Sequence, residues 1–241
     1  MNRPNTQHLF SNSEAVSVIA HDLKSPLSTI LTSASLLRNQ ISGELNPDQI
    51  NKVNLIYKNS EKLLHLIEDI LEITQLETGQ IKPKFKSYTL RPILVNLIES
   101  FEPLCKEKNL KLHFVEENTV PKVVTTDLGK FQQIVTNVVT NSIKYTPKGD
   151  IFLSVSRESD KSFLLQIKDT GLGMSKPELD SIFLPYKRSP DEKKFVEKGV
   201  GLGLYITRLL IELLGGKIEV ESQIHQGTEF KLFFPNDIES K

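Results

Sequence analysis

Hydrophobic residues in the first third of the chain recur at alternating spacings of four and three, a pattern typical of helices that pack along a seam. The first stripe predicts a helix over residues 14–41. Its members are Val16, Ala20, Leu23, Leu27, Ile30, Ala34, Leu37 and Ile41. A second helix is predicted to start after Asn46 as its cap, with Pro47 in the first turn, and to end near Leu76.

The stripe of the second helix is broad. Its seam comprises Val53, Tyr57, Ser60, Leu64, Ile67, Leu71 and Thr74, and Ile56, Leu63 and Ile70 widen it. Two long helices joined by a short turn form an antiparallel hairpin. A single hairpin would leave part of this apolar stripe exposed to solvent. Two copies of the hairpin would bury it in a four-helix bundle, so we predict a homodimer. The alternative is that the stripes pack on the rest of the chain.

Beyond Gly79 the pattern changes to alternating helices and strands. Helices are predicted over residues 92–107, 128–144 and 200–214, and strands over 111–115, 123–126, 151–156, 163–168, 217–222 and 228–234. This order favours an α/β sandwich, with helices on one face of a mixed sheet. The predicted fold class is therefore α plus α/β. We divide the chain into a lead-in (1–13), a helical hairpin (14–78) and an α/β domain (79–241).

Composition narrows the function classes. The 241 residues contain 30 Lys and Arg against 30 Asp and Glu, so net charge does not favour a nucleic-acid partner or an acidic membrane. The single cysteine, Cys105, excludes an intramolecular disulfide and suits a reducing compartment. No apolar run approaches the ~18–20 residues that a membrane-spanning helix needs. We therefore expect a cytoplasmic protein with no membrane segment in this chain.

Candidate chemistry begins in the first helix, at His21 and Asp22. Both lie beside the hydrophobic seam, so both are expected to reach solvent. Pro26 lacks an N–H group and should bend the helix near the histidine. A His–Asp pair on a helix surface is typical either of a solvated pair or of acid–base chemistry, and the pair alone does not decide between them.

A second group lies on the helix predicted over 128–144. Asn137, Asn141 and Lys144 are spaced i, i+4 and i+7, so they project from one face. The two amides offer oxygen ligands to a hard cation, and the ammonium group offers charge to a phosphate. Magnesium bound with a nucleotide takes few protein oxygens, since phosphates and waters complete its octahedron.

Two glycine-rich segments follow. Asp169 ends a predicted strand and opens the run Asp-Thr-Gly-Leu-Gly-Met, where its carboxylate can accept from the exocyclic amine of adenine. The run from Gly199 to Leu204 opens a helix, whose N–H groups form a site for phosphates. Between them, the charged residues 187–198 are typical of a mobile lid or of a solvated loop. Neither the dinucleotide-binding nor the Walker pattern is present.

In their order, these motifs resemble the sensor histidine kinases of two-component signalling. His-Asp-Leu-Lys-Ser-Pro (21–26) resembles the phosphoacceptor box, and Asn-Val-Val-Thr-Asn-Ser-Ile-Lys-Tyr-Thr-Pro (137–147) resembles the asparagine box. Residues 169–174 and 199–204 resemble two glycine boxes. Residues 182–188 resemble the phenylalanine box, with Tyr186 where Phe is usual, and 227–230 resemble a closing box.

The resemblance implies ATP-dependent phosphorylation of His21, assisted by Asp22, and transfer of the phosphoryl group to an aspartate of a response regulator. Ser25 stands where the family often carries Thr or Asn for phosphatase activity, and is the phosphatase candidate. Arg188 would stabilise the charge on the transferring phosphoryl group.

The resemblance also implies Mg²⁺ and ATP in the α/β domain, with Asn141 and Asn137 as metal ligands and Lys144 on a phosphate. Tyr145 would lie against the adenine. The remaining nucleotide-binding residues would be Asp169, Gly171, Gly173, Gly199, Gly201, Leu202 and Gly203. Ser142 replaces the usual alanine, and its small size predicts a neutral change.

Two other functions remain open at this point. The asparagine and glycine boxes also resemble the ATPases of heat-shock chaperones, mismatch repair and topoisomerases, which use a glutamate base to activate water. Residues 128–144 contain no glutamate. The other alternative is a phosphatase-dominant or scaffold relative.

Overall fold

A computed structural model describes residues 13–41, 43–117, 119–187 and 200–237. The chain forms two compact units, which divide between Ile81 and Lys82. Across these described residues, no helix combines the length and apolar character needed to cross a membrane.

The first unit is a hairpin of two helices, α1 (Ser13–Arg38) and α2 (Pro47–Glu77). The predicted seam is confirmed in part. Ala20, Leu27 and Ala34 of α1 are buried, as are Val53, Ser60 and Ile67 of α2. The other predicted positions of the α1 seam are exposed in the single hairpin, namely Leu23, Ile30, Leu37 and Ile41. The predicted start of α2 is confirmed too. Asn46 Oδ1 accepts from the N–H of Gln49 at 2.9 Å, and Gln49 Oε1 accepts from the N–H of Asn46 at 2.9 Å. This reciprocal capping box fixes where α2 begins.

The second unit contains seven strands and four helices within the described residues. The strands are β1 (Lys86–Thr89), β2 (Lys111–Glu116), β3 (Val123–Thr126), β4 (Asp150–Ser159), β5 (Ser162–Asp169), β6 (Lys217–Gln223) and β7 (Gly227–Pro235). The helices are α3 (Leu90–Glu107), α4 (Leu128–Tyr145), α5 (Lys176–Ser181) and α6 (Gly203–Leu213).

Five strands form one mixed sheet in the order β2-β4-β5-β7-β6. The β2–β4 pair is parallel and the other pairs are antiparallel, which confirms the predicted mixed sheet. The strand predicted at 123–126 exists but lies outside this sheet, because it pairs with β1 in a separate two-stranded sheet. The prediction missed β1 and α5. It also placed the start of the last helix at residue 200, three residues before α6 begins.

One face of the sheet carries the core. Along β7, Thr228, Phe230, Leu232 and Phe234 are buried, while the alternate residues are only half-buried. Four residues of α4 facing this core, Ile134, Val135, Val138 and Val139, have no exposed surface. The rings of Phe131 and Phe234 meet edge to face with centroids 5.0 Å apart, which joins α4 to β7. This packing holds the apolar face of α4 against the sheet, and so it fixes the direction of the predicted asparagine face on the same helix.

Candidate functional site

The His21 side chain projects into solvent from α1. It is 86% exposed and that of Asp22 is 74% exposed, while the preceding residue, Ala20, is buried in the hairpin seam. His21 Nδ1 lies 3.6 Å from Asp22 Oδ1, which is beyond hydrogen-bond length. Ser25 is also exposed, one turn further along α1. The helix therefore presents an imidazole, a carboxylate and a hydroxyl group on an accessible surface.

Acidic residues of α2 surround Asp69. Burial, together with the nearby carboxylates of Glu72 and Glu68, raises the pKa of Asp69 to about 6, while His65 acts in the opposite direction. Glu68 also accepts from Lys24 Nζ at 3.1 Å, which ties α2 to α1. Asp69 is thus a carboxyl group that changes charge near neutral pH.

Asn137 joins α4 to the start of α6. Its Nδ2 donates to Thr207 Oγ1 at 2.7 Å. A Cβ atom on Gly203 would lie only 2.7 Å from Asn137 Oδ1, so a larger residue at the first position of α6 would displace the Asn137 side chain. Asn141, the stronger metal-ligand candidate, lies one turn further along α4 and is half-buried. The two amides therefore share a face, as the spacing predicts, and Asn137 is also a packing residue.

Lys144 and Tyr145 form a pair at the end of α4. Lys144 Nζ donates to Tyr145 Oη at 3.0 Å and lies 4.7 Å from the centroid of its ring. Such a cation over an aromatic face is weakly attractive. The residues predicted to contact a phosphate and an adenine therefore already contact each other.

Asp169 ends β5, the central strand of the sheet, and is only 3% exposed. Its Oδ1 accepts from the N–H of Gly171 at 2.9 Å and from the N–H of Thr228 at 3.2 Å. Burial raises the pKa of the carboxyl above its ordinary value, although both N–H groups and the nearby Ser142 hydroxyl lower it. The carboxyl group is thus oriented by the protein without any ligand.

The loop after Asp169 is fixed to the turn between β6 and β7. Leu172 O accepts from the N–H of His225 at 2.6 Å, and the N–H of Met174 donates to Ser222 Oγ at 2.9 Å. Gly173 has φ +63°, and a Cβ atom there would lie 1.8 Å from the carbonyl oxygen of Gln223. The space that this glycine provides is therefore taken by the protein's own backbone.

The second glycine-rich segment is described only in part. Gly201 O accepts from the N–H of Tyr186 at 3.0 Å. The side chain of Leu202 is 1% exposed, and Gly203 begins α6. Arg188 and Gly199 lie outside the described residues, as does the predicted lid after Lys187.

The chemistry of the donor set fits magnesium bound with a nucleotide. Across residues 13–41, 43–117, 119–187 and 200–237, no three His, Cys, Asp or Glu side chains gather in a way that would hold a metal ion. The oxygens near the predicted site come instead from the amides of Asn137 and Asn141. Such a sparse set suits Mg²⁺, which keeps waters and phosphate oxygens in its coordination shell.

Three residues at the site were not among the predicted site residues, although Ser142 and Thr228 belong to segments that the sequence analysis named. Thr228 donates its N–H to Asp169, Thr207 accepts from Asn137, and the Ser142 hydroxyl lies beside the Asp169 carboxyl. The Gly-Thr pair at 227–228 was visible as a motif after a turn. The hydrogen bond between Asn137 and Thr207 joins residues 70 positions apart, so no local sequence pattern predicts it.

Two family models match the chain. Residues 11–79 match the His Kinase A (phospho-acceptor) domain. Residues 126–238 match the histidine kinase-, DNA gyrase B- and HSP90-like ATPase family.

Curated relatives include the autoinducer 2 sensor kinase/phosphatase LuxQ of Vibrio vulnificus, 30% identical over 90% of this chain and 26% of that protein. The circadian input-output histidine kinase CikA of Synechococcus elongatus is 30% identical over 92% of this chain and 30% of that protein. The sensor histidine kinase GacS of Pseudomonas protegens is 31% identical over 90% of this chain and 24% of that protein. The chain thus spans about a quarter of the length of these relatives.

Solved structures agree in fold. Full-length ShkA in complex with AMPPNP has a TM-score of 0.81 at 25% identity, over 95% of this chain and 47% of that one. The Acinetobacter baumannii histidine kinase AdeS has a TM-score of 0.64 at 22% identity, over 90% of this chain and 98% of that one.

Proposed function

This chain belongs to the sensor histidine kinases, and we propose that it transfers the γ-phosphoryl group of ATP to His21 and then to an aspartate of a response regulator. The observation that carries the proposal is the pairing of two features in one chain. One is a solvent-exposed imidazole beside a carboxylate on a helical hairpin, and the other is a buried, pre-oriented carboxyl group at the end of a central strand. The first accepts a phosphoryl group and the second recognises a purine.

In this proposal the nucleotide lies along α4 and the loop after β5. The adenine amine donates to Asp169, whose orientation Gly171 and Thr228 already fix. Tyr145 packs against the base. Lys144 Nζ, which lies against the ring and hydroxyl group of Tyr145, would turn toward a phosphate.

The metal and phosphate contacts follow from the same arrangement. Asn141 and Asn137 would hold Mg²⁺, which supplies positive charge to the β- and γ-phosphates. The N–H groups around Gly201, Leu202 and Gly203, at the start of α6, suit phosphate oxygens. We assign Gly199 and Arg188 to the phosphates on the resemblance of the motifs alone.

The chemical step uses His21 and Asp22. An imidazole nitrogen attacks the γ-phosphorus, the bond from phosphorus to the bridging oxygen breaks, and ADP leaves with the electron pair. The attacking nitrogen has a free lone pair and carries no proton. The proton of the other ring nitrogen passes to solvent or to Asp22, whose Oδ1 lies 3.6 Å from Nδ1. The response-regulator carboxylate then attacks the same phosphorus, and the imidazole leaves.

Hydrolysis of ATP without a phosphohistidine is less well supported. An ATPase of this fold would need a base to activate water, and α4 carries Gln132 and Gln133 but no glutamate. We therefore expect little release of inorganic phosphate before His21 is phosphorylated.

Incubation with Mg²⁺ and γ-labelled ATP tests the proposal. Label should attach to the protein, survive base and be lost in acid, as expected for a phosphorus–nitrogen bond. The His21→Gln variant should acquire no label. His65→Gln is the matched control, since His65 is another exposed histidine of the same hairpin. Acid-labile label that persists in His21→Gln would refute the assignment.

We further propose that Ser25 supports removal of the phosphoryl group from the response regulator. The hydroxyl lies one turn from His21 on the exposed surface of α1. Ser25→Ala should slow dephosphorylation of a phosphorylated receiver domain while leaving autophosphorylation intact. Ser25→Thr, which keeps the hydroxyl, should retain activity. Equal phosphatase rates in the wild type and Ser25→Ala would exclude this role.

We propose that the hairpin forms a homodimer. A groove between α1 and α2 is lined by Val16, Ile19, Ala20, Leu23, Ile67 and Ile70. On α2, Ile56 and Leu63 are each 49% exposed, a high value for large apolar side chains. Leu63→Asp should yield monomers in analytical ultracentrifugation, whereas Lys62→Asp, at a neighbouring exposed position, should not. A wild-type monomer at micromolar concentration would contradict the proposal.

A further inference from the structure

Lys24 lies one turn after His21 on α1 and is tied to the other helix of the hairpin. Its Nζ donates to Glu68 Oε1 at 3.1 Å. The two side chains are 34% and 46% exposed. An ion pair this open to solvent is weak, because water screens the charges and both long side chains lose rotamer freedom. The ammonium group of Lys24 can therefore exchange Glu68 for a stronger partner.

The geometry of α1 brings Lys24 within reach of His21. Residues three apart on a helix are neighbours, with Cβ atoms about 5–6 Å apart. Long side chains on a helix also lean toward its N-terminus, so Lys24 can place its ammonium group over the turn that carries His21. The other cationic side chain of α1, Arg38, lies at the far end of the helix, with its guanidinium carbon 4.1 Å from the centroid of the Tyr57 ring.

A phosphoryl group on His21 would add negative charge beside a carboxylate. Asp22 follows His21 directly, and its Oδ1 lies 3.6 Å from His21 Nδ1. A phosphorylated side chain carries about 1.5–2 negative charges at neutral pH and offers three acceptor oxygens. Glu68 carries a single charge, so the phosphoryl group is the stronger partner for the ammonium group of Lys24.

We propose that Lys24 is a further catalytic residue, whose ammonium group leaves Glu68 and binds the phosphoryl group as it reaches His21. The inference rests on the proposed function of His21. The bond from phosphorus to the bridging oxygen of ATP breaks, ADP leaves with the electron pair, and the new bond joins phosphorus to the imidazole. Lys24 keeps its three protons throughout and supplies charge and hydrogen bonds to the phosphoryl oxygens. Glu68 is then a competitor that holds Lys24 until a phosphoryl group arrives.

The equilibrium between ATP and phosphorylated protein tests the inference. Label on His21 is measured at a fixed ratio of ATP to ADP. Lys24→Met should lower the ratio of phosphorylated to unphosphorylated protein by about two- to fivefold, the effect expected of one exposed charge pair. Lys24→Arg keeps the charge and should retain the wild-type ratio. Glu68→Gln releases Lys24 and should give an equal or higher ratio than the wild type.

Three comparisons separate this contact from a structural role of the ion pair. Lys24→Met and Glu68→Gln remove the same ion pair, so a purely structural effect would be the same in both. Lys52→Met, which breaks the 2.8 Å pair with Asp48 near the start of α2, should leave the ratio unchanged. The deficit of Lys24→Met should also shrink at about 1 M salt, where the screening length falls to about 3 Å.

Three results would overturn the inference. They are an unchanged ratio in Lys24→Met, an equal decrease in Lys24→Met and Glu68→Gln, and a deficit in Lys24→Met that high salt leaves intact. A wild type that acquires no label on His21 would instead refute the proposed function as a whole.

Discussion

Replacement of Asp169 by asparagine should change stability and nucleotide binding in opposite directions. An asparagine carbonyl oxygen still accepts from the N–H groups of Gly171 and Thr228, so the loop keeps its anchor. The buried negative charge disappears. The amide nitrogen presents a donor where the carboxylate presents an acceptor, so the proposed hydrogen bond from the adenine amine would be lost.

The stability effect has a defined sign. Burial raises the pKa of Asp169 in the folded protein above its ordinary value of 3.8. Protonated Asp169 therefore makes its full contribution to the free energy of unfolding below pH 3.8, and this contribution is lost as the pH rises through the pKa of the folded state. At pH 7 the carboxylate opposes folding, so Asp169→Asn without nucleotide should melt at an equal or higher temperature. The advantage should shrink as the pH approaches 4.

The binding effect can be given a magnitude. A hydrogen bond to a charged group contributes about 1.5–3 kcal/mol, so the dissociation constant for ATP should rise by roughly 10- to 150-fold. Isothermal titration calorimetry measures this change, and thermal unfolding over pH 4–8 measures stability. Asp180→Asn, which neutralises an exposed carboxylate in α5, is the control and should change neither quantity. Unchanged ATP affinity in Asp169→Asn would refute the assignment of adenine recognition to this carboxyl group.

Three further predictions concern the framework. Asp69→Asn should raise the free energy of unfolding by about 1–2 kcal/mol at pH 8, because the pKa of Asp69 is raised from 3.8 to about 6 in the folded protein. This figure is half of what the pKa shift alone gives, since the side chain is partly exposed to solvent. Below pH 4 the substitution should have no effect on stability, and urea unfolding at both pH values measures the difference. Gly173→Ala should lower the melting temperature strongly, since its Cβ would lie 1.8 Å from a carbonyl oxygen, whereas Gly129→Ala, with 3.6 Å to its nearest neighbour, should be neutral or stabilising. Asn46→Ala should cost about 1 kcal/mol through loss of the cap of α2, and Asn54→Ala, at an exposed position within α2, should cost less in the same assay.

The hairpin could be predicted closely because its signal is local and repeated. Each helix carries several turns of the same spacing, and the cap at Asn46 is encoded within four residues. The short elements β1 and α5 span four and six residues, which is too little for a period to be detected. Sheet membership of β3 depends on its pairing with β1, a contact between segments far apart in sequence that no local pattern reveals.

The site divides in the same way. The shared face of Asn137 and Asn141 follows from helical spacing, and the position of Asp169 follows from the strand before it. Thr207 contacts Asn137, which is 70 residues away in sequence, and Thr228 contacts Asp169, which is 59 residues away. Local sequence spacing therefore could not predict either contact. The start of α6 was placed three residues early because Gly201 has φ +82°, a backbone conformation that is not helical.

The bond between Thr228 and Asp169 also bears on how the protein is made. Asp169 lies on the central strand of the sheet, and one of its two backbone donors belongs to β7, which is synthesised 59 residues later. A nascent chain can pair α1 with α2 soon after both leave the ribosome, but the proposed adenine site lacks one of its two backbone donors until β7 has emerged and inserted between β5 and β6. Truncated translation products that lack β7 should therefore retain the helical hairpin but lack a complete adenine site, and on the proposed function they should not consume ATP.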